Sequence, residues 1–209
     1  MFMHADDPAT QAWFVEDFVP EILDLVLSAW EGFARDPSLR LEQRITNSFS
    51  HALERAYEEQ GKSWFIVPEM QRTDPKTGKE IVRHDIRFFH RDVSGQRLYF
   101  VFECKRLNVL NRRGKIVPNS AGYKAGLLKF VMNTYGGGHP CGGMIGYVMD
   151  GKAVSALITI KKLIRKNRGT LLLVPGSDFT FSPGVPYGET QHDRSDGRFV
   201  IYHLLLPMN

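Results

Sequence analysis

A chain of 209 residues, 43% hydrophobic and 24% charged, is long enough to bury a substantial core and too ordinary in composition for a disordered or fibrous class. No run approaches the roughly 18 apolar residues of a membrane span, and the acidic N-terminus lacks a basic signal-peptide start, so no membrane partner is expected. The net charge of +4 is unevenly spread: residues 1–60 hold 12 acids against 4 arginines, and residues 61–209 hold 11 acids against 23 Lys/Arg, a balance that suits a phosphate-backbone binder. Two cysteines, Cys104 and Cys141, make no disulfide framework and fit a reducing, cytoplasmic setting.

Residues 11–34 read as an apolar, acid-decorated helical region carrying Trp13, Phe14, Phe18, Ile22, Leu23, Leu25, Val26, Trp30 and Phe33. Pro20 either starts a second helix there or kinks a single one. The apolar ring is broad enough to pack on the body of the protein or on another subunit. Asp36-Pro-Ser38 is an N-cap signal, and the next helix is predicted to run to about Glu59, with Gly61 ending it. Leu41, Ile45, Phe49, Ala52, Leu53 and Ala56 recur at helical spacing. Glu42 falls inside that stripe, where a carboxylate needs a partner.

Trp64–Val67 opens a sheet, Glu69 follows it as a salt-bridging or site-facing acid, and Asp74–Gly78 is a turn. Ile81–His90 is a second strand candidate, Asp92–Gln96 carries turn chemistry, and the aromatic and β-branched run Leu98–Leu107 is a third strand. A hairpin folded about Ser94 pairs residues whose numbers sum to 188, which sets Asp85 opposite Glu103 with Cβ atoms roughly 5 Å apart. Side chains alternate along a strand, so Glu103 and Lys105 share a face and Cys104 turns away. Two carboxylates that close repel unless a cation lies between them. Mg²⁺ takes one or two carboxylates, a carbonyl and waters.

Asp85, then seventeen residues, then Glu103-Cys104-Lys105 resembles the signature of the PD-(D/E)xK nuclease superfamily, with His84 standing where the family name has Pro. The resemblance implies a restriction-endonuclease-like α/β fold, a mixed central sheet flanked by helices around an αβββαβ core. Here it would form one nuclease-like domain over 1–209, with a helical extension over 1–35 and a core over 38–206 that adds C-terminal strands. It implies Mg²⁺, replaceable by Mn²⁺, held by Asp85, Glu103 and the backbone carbonyl of Cys104. Lys105 would position the attacking water and offset phosphate charge. Glu42 matches the family's first-helix acid, which reaches the metal directly or through water. The implied activity is hydrolysis of phosphodiester bonds in DNA, with RNA the other candidate, in a restriction-type or anti-phage role. A homodimer or a partner protein is expected, since the chain has no separate reading domain. The alternatives are a catalytically inactive nucleic-acid-binding or scaffolding module of the same fold, or an interaction domain in which Glu-x-Lys is accidental.

Residues 105–115 carry five Lys/Arg and no acid, and Gly114 and two Asn argue for a loop. Arg106, Arg112, Arg113 and Lys115 are therefore candidate phosphate-backbone contacts. Asn119-Ser120 caps a predicted helix over 121–135 with Tyr123, Leu127, Phe130, Val131 and Thr134 on one face. Lys124 lies beside that face and, by the resemblance, is its candidate phosphate contact; Lys129 lies off it. Residues 136–143 read as a glycine-rich loop whose His139 and Cys141 are too few for a zinc site. A strand over 144–149, a helix from Ala153 to about Arg168 and a strand over 171–174 follow. Residues 175–198 read as a long loop in which His192 and Arg194 form a candidate substrate-contact patch. Phe199–Leu206 closes the chain as a buried strand, with His203 a satisfied core residue.

Overall fold

The computed structural model describes residues 3–4, 8–36, 39–60, 64–73, 80–90, 93–94, 98–136, 138–177, 179–181 and 187–208. The predicted turn at Asp74–Gly78, and Asp92, Gly95 and Gln96 of the next turn, lie outside these residues. The chain is mixed α/β and divides into two compact units, residues 1–102 and 103–209.

The first unit opens with helix α1 (Pro8–Trp13), a π-helical turn (Phe14–Phe18) and helix α2 (Val19–Glu31). Pro20 lacks an N–H and its ring crowds the preceding turn. It sits in the first turn of α2, directly after the wider π turn in which Val19 N–H bonds to Phe14 O. Helix α3 spans Glu42–Gln60. It begins later than the Asp36-Pro-Ser38 signal predicts, because the Leu39 N–H closes a turn onto the Asp36 carbonyl at 3.0 Å ahead of the helix. Trp30 and Phe33 meet Phe49 at ring distances of 5.0 and 5.5 Å, and Phe18 stands edge-on to Trp64 at 5.6 Å. The apolar N-terminal face is thus buried inside its own unit, each side chain contributing about 1.5–3 kcal/mol.

Strands β1 (Trp64–Thr73) and β2 (Glu80–His90) pair antiparallel, and β2 pairs antiparallel with β3 (Tyr99–Leu107). Pro68 is tolerated in β1 because β1 ends the strand order, where a missing N–H leaves no ladder bond unmade. Ile86 pairs with Phe102, Arg87 with Val101, Phe88 with Phe100 and Phe89 with Tyr99, the register predicted from a turn at Ser94. Two-residue strands at Met3–His4 and Val93–Ser94 pair in parallel.

The boundary between units falls within β3. In the second unit the strand order runs β3-β4-β7-β6-β5, with β4 Cys141–Val148, β5 Thr180–Phe181, β6 Gly188–Arg194 and β7 Gly197–Pro207. β4 and β7 are parallel and β6 is antiparallel to both its neighbours. Helices α4 (Ser120–Val131) and α5 (Ala153–Lys166) complete the unit. Every residue of β4 is buried.

Four sequence expectations change here. The basic stretch after Lys105 is a hairpin, Val109–Leu110 against Ile116–Val117, whose turn is tied by Asn111 Oδ1 accepting the N–H groups of Arg113 and Lys115 at 2.9 and 3.0 Å. Its Gly114 takes φ +70°, a value glycine adopts freely. Leu171–Val174 is not a strand: Leu172 sits at φ +50°, which interrupts the extended run, and Leu173 alone bridges to His192. The supposed loop 175–198 contains β5, β6 and the start of β7. α4 ends at Val131, and Asn119, at φ +48°, uses its side chain on the Arg106 carbonyl at 2.8 Å instead of capping the helix.

Candidate active site around Glu103

Glu103 lies on β3 and is fully buried. A carboxylate survives there only with cationic or hydrogen-bonding partners, and two lysines supply them. Lys105 Nζ is 2.7 Å from Glu103 Oε1, and Lys129 Nζ, from α4, is 2.8 Å from the same oxygen. Lys105 also donates to the Cys104 carbonyl at 2.7 Å. Lys129 also donates to the Tyr135 hydroxyl at 2.9 Å and lies 4.7 Å from that ring's centre. Glu103 Oε2, equally buried, has no hydrogen-bond partner among the described residues. One carboxylate therefore faces two ammonium groups with half its acceptor capacity unused.

Close packing of α4 produces this burial. A Cβ on Gly126 would stand 3.0 Å from Glu103 Cγ and 2.8 Å from Met144 Cε, so any larger residue there displaces one or both side chains. Lys129, one turn further along α4, then reaches Glu103. Cys104 turns the other way, as alternation predicts: its thiol is buried and accepts a hydrogen bond from the Tyr147 hydroxyl at 3.5 Å.

Asp85 and Glu42 belong to the first unit, on β2 and at the first position of α3, and both are half-buried and engaged with neighbours. The Glu69 side chain lies outside the described residues. Arg112, Arg113 and Lys115 are exposed at the tip of the basic hairpin, and Arg106 is half-buried at the end of β3. Lys124 is occupied elsewhere, donating to Asn167 Oδ1 at 2.6 Å. Among the described residues no group of three or more His, Cys, Asp or Glu is arranged to hold a metal ion. A divalent ion at Glu103 would rest on the idle Oε2, at most one further carboxylate, a carbonyl and water, which is the mixture magnesium accepts. His139 and Cys141 do not add a second centre: both are buried, and burial holds the Cys141 thiol far above its usual range, against thiolate ligation.

His192 and Arg194 are structural. They lie on β6, whose burial alternates, with Thr190, His192 and Arg194 at the buried positions. Arg194 donates to the carbonyls of Phe130, Tyr135, Gly136 and His139 and to Asp196. Burial alone would raise the Asp196 carboxyl, but the Gly138 N–H and Arg194 hold it below its ordinary value. A one-way hydrogen-bond chain runs through the core: Tyr123 Oη to His203 Nδ1 at 2.9 Å, His203 Nε2 to Thr190 at 2.8 Å, Thr190 to His192 Nε2 at 2.8 Å, and His192 Nδ1 to the Leu171 carbonyl at 2.6 Å. Burial favours the neutral form of both imidazoles, and the terminal carbonyl, which accepts only, then sets His192 Nδ1 and His203 Nε2 as the protonated nitrogens. His203 is the satisfied core residue the sequence predicts.

Comparison of the chain with family models, with curated proteins and with solved structures found no match. Among the described residues no helix is long and apolar enough to cross a membrane. Sequence reasoning missed Lys129 and Tyr135. The available signal was Gly126, one turn before Lys129 on the same side, since glycine inside a helix marks a close approach.

Proposed function

We propose that this chain is a divalent-metal-dependent nuclease that hydrolyses phosphodiester bonds of DNA, built on a restriction-endonuclease-like fold. The observation that carries the reading is Glu103: fully buried, flanked by two lysines, with one carboxylate oxygen left without a partner among the described residues. A structural ion pair has no use for an idle buried oxygen, which costs about 1–3 kcal/mol; a metal ligand does.

In this reading the resemblance assigns Mg²⁺ or Mn²⁺ to Glu103 and Asp85, with the Cys104 carbonyl as a further ligand and Glu42 contributing through water. The bound ion supplies Lewis acidity and a water of lowered pKa. Lys105 orients that water and offsets charge on the phosphoryl group. Arg106, Arg112, Arg113 and Lys115 grip the backbone, supported by the absence of any acid between Glu103 and Asp150. Lys124 is set aside as a phosphate contact because its ammonium is bound to Asn167. The resemblance adds the biological setting, a restriction-type or phage-defence component acting as a dimer or with a partner protein. Incubating the protein with linear, circular and single-stranded DNA and with RNA, in Mg²⁺ and in EDTA, tests the reading: cleavage of DNA that EDTA abolishes is expected. Binding without cleavage would favour the catalytically inactive module.

A further inference from the structure

We propose that Lys129 is the resident counter-cation of Glu103 and that a divalent ion loads at the idle Oε2 only as Lys129 withdraws from Oε1, an inference that rests on the nuclease reading above. Both ammonium groups use the same carboxylate oxygen, at 2.7 and 2.8 Å. Two ammonium groups within 2.8 Å of one carboxylate oxygen already offset its charge, so a doubly charged cation is repelled from Glu103 while both stay. The lysines are unequal. Lys105 is 16% exposed and is tethered a second time, to the carbonyl beside it on the same strand. Lys129 is 38% exposed and reaches in from a helix. Its second anchorage is independent of Glu103: the ammonium also donates to the Tyr135 hydroxyl at 2.9 Å and lies 4.7 Å from that ring's centre. Lys129 is therefore the cation that yields, with Tyr135 as its resting place.

Metal loading is then a cation exchange at one buried carboxylate, and Lys129 lowers the site's affinity for free metal. Replacing it with a neutral side chain tightens metal binding, the opposite of what damage to a structural lysine does. Mn²⁺ titration of the full chain, followed by electron paramagnetic resonance, tests this on wild type, Lys129→Met, Lys129→Arg and Tyr135→Phe, each first shown to melt cooperatively. Lys129→Met is expected to bind Mn²⁺ about tenfold more tightly than wild type, and Lys129→Arg to stay near wild type. Tyr135→Phe, which removes the resting hydroxyl, is expected to bind several-fold more weakly. If Glu103→Gln abolishes Mn²⁺ binding while Lys129→Met leaves affinity unchanged or weaker, the exchange is overturned and the nuclease reading stands. If wild type binds no Mn²⁺, both fall together.

Discussion

Glu103 is the residue on which the proposed chemistry turns, because its two oxygens are treated so differently. Oε1 takes two ammonium groups and Oε2 takes none among the described residues, although both are buried. Glu103→Gln keeps the shape and removes the charge, leaving Lys105 and Lys129 facing a neutral amide. Cleavage is expected to fall by roughly 10²–10³-fold and stability in a urea titration by about 1–3 kcal/mol. A second residue-level prediction concerns His192 and His203. Burial, above all, holds both imidazoles below the ordinary histidine range, and His203 far below it. The unfolded chain therefore binds more protons than the folded one once the pH drops below about 6.5. Stability is fully present above that value and is lost as the pH falls toward the folded-state values. The melting temperature should be flat above about pH 7 and decline between about pH 6.5 and 5, and His192→Gln should flatten that decline.

At the scale of elements, α4 brings Lys129 to the strand, and Gly126 sets how closely it lies. In Gly126→Ala, the Met144 tip can swing aside, but Glu103 is held by two lysines and cannot. The gain in helix propensity, about 1 kcal/mol, opposes the packing cost, so the thermal midpoint should move little. Cleavage, which depends on placement within an ångström, should fall about ten- to a hundredfold, and a melt beside a rate measurement separates the two effects. The elements also show what the chain discloses before folding. The β2/β3 register was readable because turn residues and a period of two leave little freedom. The shared face of Glu103 and Lys105 followed from the same alternation. β6 was hidden, since its inward positions are Thr190, His192 and Arg194, satisfied by each other and by carbonyls, so no apolar alternation announces a strand. Lys129 was hidden because a helical wheel scores apolar faces, whereas its partner is one buried acid reached over a glycine.

At the scale of the molecule, charge divides along the two units. Residues 1–102 hold 17 acids against 12 Lys/Arg, and residues 103–209 hold 6 against 15. On the nuclease reading the second unit carries the attraction for a polyanion, and Arg112, Arg113 and Lys115 are exposed at the tip of its hairpin. DNA binding should weaken steeply with salt, and replacing Arg112 and Arg113 together with alanine should lower the slope of log K against log salt by about 2. A fluorescence-anisotropy titration at several salt concentrations reads that slope.

The most direct measurement compares wild type, Asp85→Asn and Lys105→Ala for DNA binding and for Mg²⁺-dependent cleavage in the same buffer. The nuclease reading predicts that all three bind DNA, that wild type alone cuts it, and that EDTA stops the cutting. Wild type that binds yet leaves DNA intact in Mg²⁺ and in Mn²⁺, or variants that cut as fast as wild type, would contradict it.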